Sequence, residues 1–344
     1  MLKTILLSTC VALSFSTAVS SQNFEKRDYN SLGIYEFFID QQHPEWLSEI
    51  RGVKIVPVFN VSGRIVVKDS IIKTSLLILE PDSELIFDNY ESKLWGIVAD
   101  KIVINGSNIK IGRAADKMAL VPAKAPDGTG GAYGHGHLGS DGAPGGHGTP
   151  GAVGSKGATV QIPTLVVATR NLEVKQGLDL SSISFNLNGI SGSVGSAGGN
   201  GGNGGNAVGG QNGSTSIYKC RRQPGNGGNG GNAGAGGAGG AGGDGGDGGD
   251  LIFIANLKIG ETLAKAKIFN EAGGGGASGQ PGQGGVPGAG GSRGSREGFC
   301  QHRASDGSGG AGAPPPAISG PPGKAGDRGS ELIVNVSEIG PLLR

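Results

Sequence analysis

Two cysteines are the residues of this sequence best suited to a defined chemistry. Cys10 lies in an apolar stretch at the N-terminus, which leaves Cys220 and Cys300 as an even pair. In an exported chain, an even number of cysteines is typical of disulfide bonding. We therefore predict a disulfide between Cys220 and Cys300. Two free thiols, or a bridge to another molecule, are the alternatives.

Each of these cysteines follows an aromatic residue and precedes basic ones, and both lie where a glycine-rich repeat is interrupted. Aromatic residues and arginines are enriched where proteins bind one another. A third interruption lies about one repeat earlier, so the three loops could form one binding surface. The predicted surface contains Tyr133, His135, His137, Tyr218, Lys219, Arg221, Arg222, Phe299, His302 and Arg303. Solvated loop ends, with the aromatics packed on the disulfide, are the alternative.

Metal binding and catalysis have weaker signals. His135 and His137, with His147 nearby, could bind zinc or copper, but two loop histidines are more often ordinary surface residues. The sequence contains no evident Ser-His-Asp, Cys-His or paired-carboxylate arrangement. We therefore predict no metal, no cofactor and no enzymatic activity.

Polar residues also recur at every third position. Repeats at this spacing lie about 9 Å apart in a polyproline II helix, which is too far for one calcium site. We interpret them as solvated faces, although regular polar ladders could also order water against ice. The residues are Asn200, Asn203, Asn206, Asn226, Asn229, Asn232, Asp244, Asp247 and Asp250.

The element that must position these residues is glycine-rich, since 71 of the 344 residues are glycine. Glycine recurs at every third position over 136–157, 189–204, 225–249 and 276–294, and less regularly over 320–329. Three residues per turn is the period of polyproline II, whose backbone groups need partners outside the helix. A kept phase indicates that one face of each segment meets another backbone. Collagen trimers and disordered linkers are the alternatives.

The segments GGNGGNGGN, GAGGAGGAGGDGGDGGD and GQPGQGGVPGAGG resemble two known groups of proteins. They are similar to the springtail antifreeze proteins and to the glycine-rich tips of phage long tail fibres. The resemblance covers residues 127–329 and implies a bundle of polyproline II helices. The first group implies ice binding, and the second implies receptor binding by the loops at the bundle end.

Short β-branched runs predict strands before and between the glycine segments. Strand pairs recur at Ile97–Ile111, Leu165–Asn188 and Leu251–Asn270, and Ala99, Ala168, Ala255 and Asn335 can be aligned. Residues 182–186 also match 266–270. The final strand, LIVNVSEIG, has little sequence after it, so its open edge could accept another subunit.

The predicted fold class is mainly β, with a β-solenoid-like base, a bundle of glycine-rich polyproline II helices and a short N-terminal helical cap. The cap would cover the end of the next element. The predicted divisions are a signal peptide over 1–21, the cap over 22–52, the base over 53–122 and the repeating region over 123–344.

The first residues have a positive start, a short apolar stretch and a small-residue cleavage pattern ending near Ser20, typical of a secretory signal. The mature chain is close to neutral, which argues against nucleic-acid binding, and no later run is long enough to span a membrane. We expect a secreted structural or adhesive protein whose partner is a cell-surface or matrix receptor, or its own copies in filaments. An ice-binding protein and a collagen-like matrix subunit are the alternatives.

Overall fold

The computed structural model describes residues 24–30, 33–40, 43–138, 141–315 and 317–344. The predicted signal peptide lies outside the described residues. The strands are β1 (Glu25–Asp28), β2 (Val56–Val61), β3 (Arg64–Val67), β4 (Ile71–Leu79), β5 (Glu84–Phe87), β6 (Leu94–Ile104), β7 (Ile109–Arg113), β8 (His137–Leu138), β9 (Asp141–Gly142), β10 (Thr164–Val174), β11 (Ile183–Asn186), β12 (Ser214–Ser216), β13 (Lys219–Arg222), β14 (Leu251–Ala255), β15 (Lys267–Phe269) and β16 (Glu331–Asn335). The helices are α1 (Ile34–Asp40), α2 (Pro44–Gly52), α3 (Leu257–Leu263) and α4 (Gly340–Leu343), with a 3-10 turn at Leu180–Ser182.

Two parallel sheets form the regular part of the molecule. The larger has seven strands in the order β1-β16-β14-β10-β6-β4-β2, and the smaller has five in the order β15-β11-β7-β5-β3. β8 and β9, and β12 and β13, form two small antiparallel hairpins. Both sheets therefore draw strands from the first part of the chain and from the stretches between glycine segments.

Two apolar clusters lie on opposite faces of the larger sheet. One fills the space between the sheets and includes Trp95, Leu165 and Phe253. The other lies on the opposite face and includes Val98 of β6 and Ile254 of β14. Because the larger sheet is covered on both faces, β14 reads as a continuous apolar run, LIFIA, in which every residue is buried.

The N-terminal helices pack on a sheet face, which corrects the predicted cap over the end of an element. Phe37 and Phe38 of α1 and Ile50 of α2 are buried in the second apolar cluster. α2 begins at Pro44, as expected for a residue that fits the first helical turn but not the helix interior. The helices thus form a third layer on the seven-stranded sheet.

The prediction of an open edge at the final strand is wrong. β1 pairs with β16 in parallel, from Glu25 with Leu332 to Asp28 with Asn335. The N-terminal tetrapeptide EKRD therefore covers the edge that the end of the chain would otherwise leave open. Three of its four charged residues are exposed and one is half-buried. Charged side chains on an edge strand discourage further strand pairing.

The proposed alignments misplace Ala168 and the segment 182–186, each by one residue. Ala168 pairs with Val98 and Ile254, whereas Ala99 pairs with Thr169. Phe185 pairs with Ile268 and not with Phe269, so the predicted match of 182–186 with 266–270 is shifted by one residue. The alignment of Ala255 with Asn335 is confirmed.

Six glycine-rich segments form the rest of the molecule, and together they are called the glycine array. Segment 1 is 125–134, segment 2 is 142–157, segment 3 is 189–213, segment 4 is 225–249, segment 5 is 273–294 and segment 6 is 305–329. Apart from β9 at the start of segment 2, their described residues are assigned to neither helix nor strand. The predicted fold class is therefore wrong as stated: the regular structure is two parallel sheets, and a bundle of polyproline II helices is not shown. The mainly β character holds in part.

The expectation that glycine faces meet other backbones is confirmed. In segment 3, Gly201 donates its N–H to the carbonyl of Gln283 in segment 5, and Gly202 donates to that of Thr149 in segment 2. A Cβ on Gly202 would lie 1.9 Å from the carbonyl oxygen of Thr129. These bonds repeat every third residue and join segments of this one chain, which differs from the three-chain bonding of collagen.

The bonds arrange the segments in two rows. Segments 1, 3 and 5 are linked in one row, and segments 2, 4 and 6 in the other. Further bonds run between the rows, as from Gly231 in segment 4 to Gly205 in segment 3. The glycine N–H groups that face a neighbouring segment thus find carbonyl acceptors within the array, as buried backbone requires.

Candidate binding site

The loops at one end of the glycine array are the candidate binding site. The second loop, 211–224, and the third loop, 295–306, are here called the tip. Gly213 donates its N–H to the carbonyl of Ser295, and the side chain of Asn212 accepts the N–H of Ser295. The last bonds of the array therefore continue directly into the tip and fix how its two loops lie.

The predicted disulfide between Cys220 and Cys300 is present, with sulfurs 2.03 Å apart. Cys300 is fully buried, whereas Cys220 is half-buried on β13. The bridge joins two loops whose residues belong to neither apolar cluster. It therefore supplies the cross-link that a small loop without its own core needs.

Two arginines of the tip bond to backbone carbonyls. Arg222 donates from Nε and Nη2 to the carbonyl of Asn212, at 3.1 and 3.0 Å. Arg296 donates from Nε to the carbonyl of Cys300 at 2.8 Å. Arg222 thus has a structural role beside its predicted binding role, and sequence reasoning did not single out Arg296.

The remaining predicted tip residues are exposed. Tyr218 is 86% exposed and Phe299 is 56% exposed, so neither aromatic is packed away on the disulfide. Lys219, Arg221, His302 and Arg303 are exposed as well. Sequence reasoning missed Ile217, which is 79% exposed at the hairpin turn. The sequence could have indicated it, because Ile217 lies where the glycine repeat is interrupted and directly precedes Tyr218.

The first loop lies at the same end of the array but closer to the sheets. Gly134 donates to the carbonyl of Asn206, and Asp141 accepts the N–H of Asn226 at 2.6 Å. These bonds lie near the start of the second loop, where Gly225 donates its N–H to the carbonyl of Gln211. Tyr133, His135 and His137 are exposed there, and whether they share one surface with the tip stays a prediction.

In the described part of the chain, no group of three or more histidine, cysteine or acidic side chains lies close enough together to hold a metal ion. His147 uses Nδ1 to accept the N–H of Asn232 at 2.9 Å. The histidine nearest to the His135–His137 pair in sequence is therefore engaged by the backbone of segment 4.

The polar ladders face solvent in part, as predicted, since Asn203, Asn206, Asn229, Asn232 and Asp247 are exposed, but their side chains also bond to neighbouring segments. Asn200 and Asn203 each accept, through Oδ1, a backbone N–H of segment 5. Asp244 and Asp247 accept N–H groups of segment 6 in the same way. The Asn and Asp side chains therefore hold one segment of a row to the next.

A groove of about 810 Å³ beside the five-stranded sheet is the main alternative site. Three of its charged residues contact one another: Lys68 and Lys117 both contact Asp88, and Lys117 lies 4.6 Å from the centre of the Tyr90 ring. Burial raises the pKa of Tyr90 to about 12, so its phenol stays protonated at neutral pH. Both lysines of the groove are therefore already engaged with Asp88, whereas the basic residues Lys219, Arg221 and Arg303 of the tip form no ion pair among the described residues.

Comparison with known proteins gives no further information on this site. No protein-family model, no curated protein and no solved structure matches the chain. None of the helices in the described part of the chain has the length and hydropathy that a bilayer span requires.

Proposed function

We propose that this chain is a secreted, non-enzymatic binding or adhesive protein that makes contact through its tip. The observation that carries the proposal is the exposure of Tyr218 and Phe299 on loops that a disulfide and the array hold in place. Large exposed aromatics contribute nothing to the core and are favoured in interfaces. Rigid loops also lose less conformational entropy on binding.

The secretory part of the proposal is supported by the signal-like N-terminus and by the disulfide, since disulfides persist in oxidising compartments. The glycine array would serve as the spacer that holds the tip away from the sheets. The Oδ1 atoms of its Asn and Asp ladders each accept a backbone N–H, so we assign the ladders mainly to holding the segments together and propose that binding is at the tip.

The experiment measures binding of the fluorescently labelled mature protein to intact cells and to a panel of matrix proteins and glycans. The tip variant is Tyr218→Ser with Phe299→Ser. The matched control is Val153→Ser with Ile318→Ser, two exposed apolar residues on the sides of the array. We expect at least about a tenfold loss for the tip variant alone, with the melting temperature of both unchanged. Equal binding by the two variants would contradict the proposal.

A further inference from the structure

The hairpin β12–β13 presents basic side chains to solvent. Cys220 on β13 is half-buried and bonded to Cys300, and Arg222 donates to the carbonyl of Asn212. Ser214 pairs with Arg222 and Thr215 with Cys220, so Arg221 is an extra residue in β13, as in a β-bulge. Lys219 and Arg221 are both exposed, so their charges are accessible to a partner.

The tip carries an unbalanced positive charge. Loop 211–224 contains three cations and no acid, and loop 295–306 adds Arg296 and Arg303 against Glu297 and Asp306. Within the described residues, no ion pair involves Lys219, Arg221 or Arg303. The charge is local, because the whole chain has a net charge of only +1.

Apolar side chains lie among these cations. Ile217 and Tyr218 form the turn of the hairpin, 79% and 86% exposed, and Phe299 adjoins Cys300 on the neighbouring loop. Gly298 turns this loop with a φ of 39°, and a Cβ there would lie 3.2 Å from the side chain of Thr215 in β12. The cations and the apolar residues therefore share one compact surface.

We propose that the partner of the tip is an acidic protein surface, in which carboxylates surround an apolar patch. This inference rests on the proposed function. Lys219, Arg221 and Arg303 would meet the carboxylates, and Ile217, Tyr218 and Phe299 would enter the apolar patch. A sulfated glycan would satisfy the cations but would leave Ile217 in contact with a hydroxyl-rich chain, so the protein partner is favoured.

Binding to immobilised polymers tests this partner class. The probes are a random copolymer of glutamate and tyrosine, a glutamate homopolymer of equal length, and heparin. The charge variant is Lys219→Gln, Arg221→Gln and Arg303→Gln. The matched control removes equal charge near the sheets, by Lys110→Gln, Lys258→Gln and Lys265→Gln, all exposed positions. The apolar variant is Ile217→Ser with Tyr218→Ser.

We expect the mature protein to bind the copolymer at least about tenfold more tightly than the homopolymer, and added salt to weaken both. The charge variant should lose binding to both, and the control should keep it. The apolar variant should bind the two polymers equally. Heparin binding that matches or exceeds copolymer binding, and that ignores the apolar variant, would overturn the protein partner in favour of a glycan.

Absence of binding to every polymer would also overturn the inference. Tip-dependent binding to cells or matrix would still support the proposed function in that case, so the two failures can be told apart. Melting temperatures of all variants show whether a loss comes from the changed surface or from unfolding.

Discussion

At the scale of single residues, the glycine at position 231 is required because another backbone occupies the place of its side chain. A Cβ there would lie 1.7 Å from the carbonyl oxygen of Gly146, whereas a Cβ on Gly312 would meet nothing within 4 Å. We expect Gly231→Ala to lower the free energy of unfolding by about 1–3 kcal/mol. Gly312→Ala should leave it unchanged or raise it by up to about 1 kcal/mol. Urea unfolding followed by circular dichroism measures both, and equal effects would mean that the segments do not pack this closely.

Asp244 is a second single residue with a measurable effect, here on the pH dependence of stability. The hydrogen bond from Lys156, and then the N–H of Lys324, lower the pKa of Asp244 below its usual value. A carboxylate with a lowered folded-state pKa stabilises the fold above its unfolded pKa, and this contribution is lost as pH falls through the folded pKa. We therefore expect acid to reduce stability, and Asp244→Asn to flatten that reduction because the amide keeps the Oδ1 acceptor.

The measurement for Asp244 is the urea midpoint at a series of pH values from neutral to strongly acidic. Asp247→Asn is the control, since Asp247 accepts an N–H of segment 6 but forms no ion pair among the described residues. A pH profile that both substitutions leave unaltered would show that Lys156 contributes nothing through Asp244.

At the scale of elements, the Asn ladder links neighbouring segments of one row. Asn203 accepts the N–H of Val286 through Oδ1 at 2.8 Å, and Gly204 donates to the carbonyl of Val286. Asn203→Ala leaves that N–H without its acceptor, so we expect a loss of about 1 kcal/mol and faster amide exchange at Val286. Asn203→Asp keeps an acceptor oxygen and should lose less. An aspartate variant as destabilised as the alanine variant would contradict the ladder.

The glycine phase predicted the packing of these elements well, because a missing side chain at every third position has a direct physical cause. Residues 225–249 keep that phase, and their backbone bonds follow it through the whole segment. The less regular glycine spacing of segment 6 has a cause too. Ala233 donates its N–H to the carbonyl of Ala311, 78 residues later, but Gly242 donates to that of Pro321, 79 residues later. One extra residue is therefore accommodated in segment 6, which an interrupted phase could indicate but not locate.

Strand register was predicted less well, because the alignment relied on residue identity and not on which side chains would be buried. The two Phe-Asn pairs at 185–186 and 269–270 look alike, but Phe185 is 2% exposed and Phe269 is 46% exposed. The buried partner of Phe185 is Ile268. A slip of one residue turns every side chain to the other face, so burial decides the register and identity does not.

The strand β1 shows what a sequence pattern could not reveal. EKRD contains no apolar residue and no alternation, so nothing local predicts a strand. It becomes one because β16 offers unpaired backbone groups at the sheet edge. The candidate site shows the same division. The cysteine pair and the positions of the aromatics could be predicted from spacing, whereas the bonds of Arg222 to the carbonyl of Asn212 depend on the fold of the hairpin.

At the scale of the whole molecule, two positions along the outer edge of segment 5 lack an N–H. In segment 3, Gly198 and Gly204 donate to segment 5. The corresponding positions of segment 5, which precede the inter-row donors Gly282 and Gly288, are Pro281 and Pro287. Proline has no donor to leave unpaired, and this is how exposed sheet edges are also protected against further pairing.

We expect the mature protein to remain monomeric as its concentration rises, because β1 covers β16 and because Pro281 and Pro287 each remove one N–H from the outer edge of segment 5. Pro281→Gly with Pro287→Gly restores two outward N–H groups and should increase self-association, measured by sedimentation velocity over a range of concentrations. Gln280→Gly with Gln283→Gly is the control: it adds similar flexibility, but the N–H of Gln283 is already bonded to Asn200. Filaments of the unaltered protein, or no difference between the two variants, would show that these prolines do not limit assembly.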